Sequence, residues 1–216
     1  MKIILFGPQG SGKGTYAKRL SPIFNIPHIS TGDIFRDEIK RQTELGEKVQ
    51  SFVNNGMYVP DDIVNKVVEK RLGGKDCSNG FMLDGYPRTT EQAKFLDEFS
   101  KPDIVINLVV PLSVLIQRLS SRRICRNCGS IFNLLTLKPK KAGICDNCGG
   151  SLYQREDDTP KEIKRRLDQY ETLTKPLLNF YNKRKIVANV ECNQADIPPE
   201  IIVEKIRQAI INRLRK

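Results

Sequence analysis

The sequence has one histidine, His28, and no tryptophan. A single imidazole excludes a mechanism that passes protons along several of them. No run is apolar enough to cross a bilayer. The longest, Ile104 to Ile116, is interrupted by Asn107, Pro111 and Ser113. No secretion signal is visible, because Met1 and Lys2 are followed by only four apolar residues before Gly7. A cytoplasmic location is therefore expected. There is no low-complexity segment and no long repeat. Acidic side chains are also short: 36 Lys and Arg face 25 Asp and Glu, a net charge of +11. Such an excess suits nucleic acid or the polyanionic phosphates of a small substrate. No nucleic-acid recognition motif accompanies it, and the charges sit on helical patterns instead of in a tail. Neither nucleic acid nor membrane is expected as a partner.

What is present alternates. Lys2–Phe6, Phe81–Asp84, Ile104–Val110 and Lys185–Val190 are short apolar runs that read as buried strands, and His28-Ile29 supplies a fifth. Helical patterns lie between them at Lys13–Phe24, Asp61–Leu72, Thr90–Phe99, Ser113–Ser121, Lys161–Lys183 and Pro199–Leu214. The prediction is an α/β fold of three layers around a central parallel five-stranded sheet. Ser30–Val59 and Arg122–Thr159 fit the alternation poorly and read as insertions. The final helix is basic from Lys205 to Lys216, a candidate surface for a weak partner.

Gly7-Pro8-Gln9-Gly10-Ser11-Gly12-Lys13-Gly14-Thr15 carries the chemistry. Gly7, Gly12 and Lys13 match the G-x-x-x-x-G-K core of a phosphate loop, with a strand before and a helix after. Glycines let backbone N–H groups approach phosphate oxygens, and the helix adds its free N–H groups and positive dipole end. Lys13 can neutralise charge as a phosphoryl group transfers. Gly14 departs from the motif and delays the hydroxyl of Thr15 by one residue, so Thr15 serves phosphate or Mg²⁺. Asp84, at a strand end, is where such enzymes hold the water shell of Mg²⁺.

These residues join others in a family pattern. The loop, Ile29-Ser30-Thr31-Gly32-Asp33, and Asn79 to Thr89 with Gln92 resemble adenylate kinase. Arg122-Arg123, Arg155-Glu156-Asp157-Asp158 and Arg165-Arg166-Leu167 continue the resemblance in order and spacing, across nearly the whole chain. The resemblance implies Mg²⁺-dependent transfer of the terminal phosphoryl group of ATP to AMP, giving two ADP. It implies a P-loop NTPase-like fold with a core (1–29, 60–121 and 160–216), an inserted AMP-binding domain (30–59) and an inserted lid (122–159), in a monomer. Thr31, Arg36, Met57, Tyr58, Val59, Gly85, Tyr86, Pro87, Arg88 and Gln92 fall where the family binds AMP. Gly10, Ser11, Gly12, Lys13, Gly14, Thr15, Arg122, Ile131, Phe132 and Gln194 fall on the ATP side. Arg155 and Arg166 fall where arginines grip the reacting phosphates, so the catalytic set is Lys13, Asp84, Arg88, Arg122, Arg155 and Arg166. Bringing two polyanions together needs cations that do not titrate, and guanidinium suits phosphate by its bidentate geometry. Gln92 has the donor and acceptor that an adenine edge requires. Arg118, Arg123 and Arg165 are held equally open between function and solvated surface, and His28 reads as structural. A kinase for another nucleoside monophosphate, such as UMP/CMP or GMP, is the alternative.

Cys125-x₂-Cys128 and Cys145-x₂-Cys148 form a zinc pattern. Four thiolates leave no open position, so the ion is expected to be structural. Iron and paired disulfides fit the same spacing. Cys77 and Cys192 lie outside it and read as inert thiols. From Arg122 to Thr159 there are seven basic and four acidic side chains, a balance of +3 that a four-thiolate Zn²⁺ centre reduces to +1. The metal therefore adds no positive field for ATP.

Overall fold

A computed structural model describes residues 1–214. Along the chain lie β1 (Lys2–Phe6), α1 (Lys13–Phe24), β2 (His28–Ser30), α2 (Thr31–Lys40), α3 (Glu44–Asn54), α4 (Asp61–Leu72), β3 (Phe81–Asp84), α5 (Thr90–Phe99), β4 (Ile104–Val109) and α6 (Leu112–Ser120). Then come β5 (Arg122–Cys125), β6 (Ile131–Asn133), β7 (Leu152–Tyr153), α7 (Pro160–Gln169), α8 (Leu177–Asn182), β8 (Val187–Glu191) and α9 (Pro199–Leu214). Arg215 and Lys216, at the end of the basic stretch, lie outside the described residues.

Five strands form one parallel sheet in the order β2-β3-β1-β4-β8. The alternation of side chains along β1 explains its two covered faces. Ile3 and Leu5 pack with Leu20 of α1 and Ile206 of α9. Ile4 and Phe6 face the other way, toward Leu96 of α5 and Tyr181 of α8. Each such fully buried aliphatic side chain contributes roughly 1.5–3 kcal/mol. Strand order reverses at β1, between β3 and β4, so a crevice opens past the carboxyl ends of these strands. Among the described residues, no helix is long and apolar enough to cross a membrane.

Helix starts follow from capping hydroxyls. Ser30, Thr43, Thr89 and Thr159 accept from the backbone N–H of Asp33, Gly46, Gln92 and Glu162, opening α2, α3, α5 and α7. Pro160 at the start of α7 has no N–H to leave unpaired. The segment 30–59 is a helical pair, and residues 122–159 hold a separate antiparallel sheet in the order β6-β5-β7.

The helix expected over Lys161–Lys183 is broken. After α7 the chain takes a π-helical turn at Tyr170–Thr174, and α8 begins after Pro176. Pro176 cannot donate to the preceding turn. The strand expected at Lys185–Val190 starts two residues later, at Val187, because Lys185 adopts a left-handed φ of 57° after α8.

Candidate active site

The loop after β1 turns into α1 at the crevice. Gly12 sits at φ 97°, and a Cβ there would lie 2.6 Å from the ring of Tyr16. Tyr16 is buried beneath the loop, so position 12 admits no side chain. A Cβ at Gly14 would lie 3.3 Å from Asp84 Oδ2. The residue that looked out of register is thus where the end of β3 presses against the start of α1. His28 Nε2 lies 3.4 Å from the same Asp84 oxygen. The lone histidine therefore orients this carboxylate.

Lys13 Nζ donates to Gly7 O at 2.7 Å and to Pro8 O at 2.9 Å, folding back over the loop. Loss of solvent pulls its ammonium down to about 8, with Arg88, Arg166 and Arg122 adding to the depression and Asp84 opposing it.

Two cavities meet here. The larger is walled by the loop residues Gly10, Gly12, Lys13, Gly14 and Thr15, by Asp84, Tyr86, Pro87, Arg118, Arg122, Ile131 and Phe132, and by Arg155. The smaller is walled by Thr31, Phe35, Val53, Met57, Val59, Val64, Gln92 and Asp157. Gln9, Arg36, Tyr58, Gly85, Arg88 and Arg166 face both.

Arginines converge here, most of them held by a partner, though the buried Nε of Arg155 has none. Arg122 Nε donates to Asp158 Oδ2 at 2.8 Å. Arg166 Nη1 reaches Asp158 Oδ1 at 3.2 Å and Asp157 Oδ2 at 2.8 Å. Burial would lower Arg122, but Asp158 reverses this and holds it above its usual value. Burial dominates for Arg166 and lowers it. Arg155 is lowered by burial and by Arg36 and Arg122 beside it. Asp33 pairs with Arg36 at 2.6 Å and faces Arg155 at 3.8 Å. Burial resists its ionisation, yet these arginines hold its carboxyl at about 2. Arg88 Nε donates to Gly85 O at 2.7 Å, and its guanidinium lies 4.8 Å over the ring of Tyr58. The Tyr58 hydroxyl meets Thr174 Oγ1 at 2.9 Å, and Thr174 Oγ1 donates to Arg88 O at 2.9 Å. The π-helical turn thus braces Arg88 from behind.

Several side chains occupy roles that motif reading did not supply. The Gln92 amide accepts from Arg88 N–H and donates to Asp61 Oδ1, both at 2.7 Å. Tyr86 is buried, its hydroxyl donating to Asn65 Oδ1 at 2.8 Å. The Ser11 hydroxyl is buried inside the loop and has no partner. Gln194 is not on either cavity wall; its carbonyl accepts from Arg118 Nη2 at 3.0 Å. Arg118, left open by the sequence, lines the larger cavity. Arg123 and Arg165 bond to backbone carbonyls away from it. Asp33, Asp157, Asp158 and Gln9 had no assigned role. The run of acids beside Arg155 was the available signal for two of them.

The sulfurs of Cys125, Cys128, Cys145 and Cys148 all lie within 4.8 Å of one another. Cys125–Cys148 is 3.4 Å and Cys128–Cys145 is 3.6 Å. Tetrahedral bonds of about 2.3 Å to zinc place sulfurs about 3.8 Å apart. The donor set fits. The local core is only Cys125, Phe132 and Cys145 with Leu152 against it, so little else would hold this segment together.

A family model described as adenylate kinase matches residues 5–186. The chain is 46% identical to an adenylate kinase of Thermosipho melanesiensis over 221 aligned positions, covering all of both chains. It is 46% identical to one of Caldicellulosiruptor bescii over 94% of this chain and 97% of that one. It is 50% identical to one of Thermosipho africanus over 85% and 88% respectively.

Proposed function

The chain belongs to the adenylate kinase family and is an ATP:AMP phosphotransferase, and from this premise we propose how its residues divide the work. ATP occupies the larger cavity, its phosphates against Gly10 to Thr15. AMP occupies the smaller one, between Thr31, Arg36, Met57, Val59 and Gln92. The observation that carries this reading is the shared wall: Arg88 and Arg166 face both cavities at once. Two anions drawn in from opposite sides meet there.

The chemistry is a displacement in line. An oxygen of the AMP phosphate bonds to the γ-phosphorus while the bond to the β–γ bridging oxygen breaks, leaving ADP on each side. At neutral pH the AMP phosphate is already anionic, so no base is required. The barrier is lowered by positioning and by charge placed before the reaction begins. Arg88, Arg122, Arg155 and Arg166 do this with Lys13. Carboxylates hold Arg122, Arg166 and Arg155 without cancelling them, while backbone carbonyls hold Arg88 and Lys13. The cavity walls carry Lys13, Arg36, Arg88, Arg118, Arg122, Arg155 and Arg166 against Asp33, Asp84 and Asp157, with Asp158 behind. Seven cations against four carboxylates leave a surplus of three positive charges for the phosphates.

Adenylate kinases use Mg²⁺ with ATP, and the ion would neutralise phosphate charge here; Asp84, oriented by His28, would hold its water shell. Cys125, Cys128, Cys145 and Cys148 would hold a structural Zn²⁺, whose ligation energy would fold residues 122–159. Those residues act as a lid and residues 30–59 as the AMP-binding domain, both moving against a core of 1–29, 60–121 and 160–216. The protein works as a cytoplasmic monomer, without nucleic acid or membrane.

A coupled assay with AMP, GMP, CMP and UMP tests the acceptor. AMP should turn over fastest, and faster turnover of CMP or UMP would overturn the reading. Lys13→Ala tests the transfer itself, since normal ADP production by that variant would refute the assignment of the loop.

A further inference from the structure

Most polar groups on the wall between the two cavities are already engaged. Arg36 is held by Asp33, Arg88 by Gly85, Arg166 by Asp157 and Asp158, and Tyr58 by Thr174. Gln9 is different. Its Oε1 is buried and has no hydrogen-bond partner. It is also the one side chain of the phosphate loop that faces both cavities among the described residues. Lys13 binds the carbonyls of Gly7 and Pro8, and Ser11 N–H closes onto Pro8 O at 3.2 Å. These bonds fix the turn on either side of residue 9.

We propose that Gln9 touches the transferring phosphoryl group directly, its side-chain amide donating Nε2–H to a phosphoryl oxygen as the group crosses from the ATP cavity to the AMP cavity. This rests on the division of the two cavities given above. A buried amide oxygen without a partner weighs against the folded state, and such groups persist where function requires them. The end of the amide rotates, so the same spot can present either oxygen or nitrogen. With phosphate present, the nitrogen turns inward. The contact is neutral, unlike those of the surrounding guanidiniums. It therefore strengthens as charge spreads over the equatorial oxygens but does not add to the charge that retains ADP. A contact made at the crossing point is realised mainly in the transition state, and appears in kcat more than in KM.

Gln9→Met keeps the length and removes both polar atoms. Its kcat should fall on the order of 100-fold with KM for ATP and AMP little changed. Its Tm without nucleotide should rise by roughly 2–4 °C, because the orphaned oxygen is gone. A merely structural glutamine would shift Tm the other way. Gln9→Glu, which offers no donor and adds a negative charge, should lose more activity than Gln9→Met. Unchanged kcat in Gln9→Met, beside active wild type, would overturn this assignment alone. So would a loss of kcat that accompanied a lower Tm. A wild-type protein that made no ADP would overturn the family reading and this assignment with it.

Discussion

The charge on Lys13 should appear in the pH dependence of catalysis, and in one parameter only. The free enzyme holds this ammonium at about 8, depressed by loss of solvent and then by Arg88, Arg166 and Arg122. With that value, about nine-tenths of the enzyme carries the charge at pH 7 and about one-tenth at pH 9. Only the charged form can meet the phosphates, so kcat/KM for ATP should fall about tenfold across that range. Bound phosphates favour the ammonium and lift its pKa back toward the ordinary lysine range. The limb should therefore be absent from kcat up to pH 9. Binding of MgATP at pH 8 should take up about half a proton, read by calorimetry in buffers of different ionisation enthalpy. Stability has a definite sign as well. The unfolded chain binds more protons than the folded one between about pH 8 and the ordinary lysine value. The cost of burying this charge is complete below that window and lifts as pH rises through it. Lys13→Arg, which does not titrate, should flatten the profile. A kcat/KM that stays level from pH 7 to 9.5, or a limb of equal size in kcat, would refute the reasoning.

Other expectations follow from the same geometry. Asp158→Ala strands the buried guanidinium of Arg122 and leaves Arg166 with Asp157 alone, which costs about 3–5 kcal/mol and lowers Tm by roughly 10 °C in the absence of nucleotide. Phosphates replace part of the missing charge, so the gap should narrow when ATP and AMP are added; differential scanning fluorimetry reads it, and a gap that widens contradicts the charge accounting. Exhaustive chelation should lower Tm and expose residues 122–159 to proteolysis before the core is cut, as mass spectrometry of the fragments would show. An unchanged melting curve would end the structural-zinc proposal. Tyr58→Leu removes both the ring under Arg88 and the hydroxyl on Thr174. It should raise KM for AMP roughly 3- to 30-fold and KM for ATP by less; an equal rise in both would mean that Tyr58 does not favour the acceptor side.

The elements most legible in the sequence were those specified by near neighbours. The start and end of α1 were readable because Gly12 and Lys13 open it and Tyr16, Ala17, Leu20 and Phe24 repeat at helical spacing. The start of α5 was marked by Thr89, which caps it. The two cysteine knuckles could be paired because each is complete within five residues. The long helix expected after Thr159 was misread for the opposite reason. Its π-helical turn faces groups far away in the chain, with Thr174 bonded to Arg88 and Tyr58. No local pattern records that. Gln92 shows the same limit: its amide is taken up by Arg88 and Asp61, and the latter lies 31 positions away.

What the sequence determined by itself was chemistry that needs only a short stretch of chain: the phosphate loop and its lysine, the metal-binding spacing, the alternation of strand and helix, and a family pattern in order along the chain. What only the tertiary structure decided was which charges meet. Arg118 and Arg123 are five residues apart and alike on the page, yet only Arg118 reaches the cavity wall. Asp158 became the anchor of Arg122 across 36 positions. Gln9 faces two cavities only because the folded chain sets one on either side of it. Local backbone preferences act over a few residues. The field at a phosphate is the sum of charges carried in by strands, insertions and helices from the whole chain, and that sum exists only once they have packed.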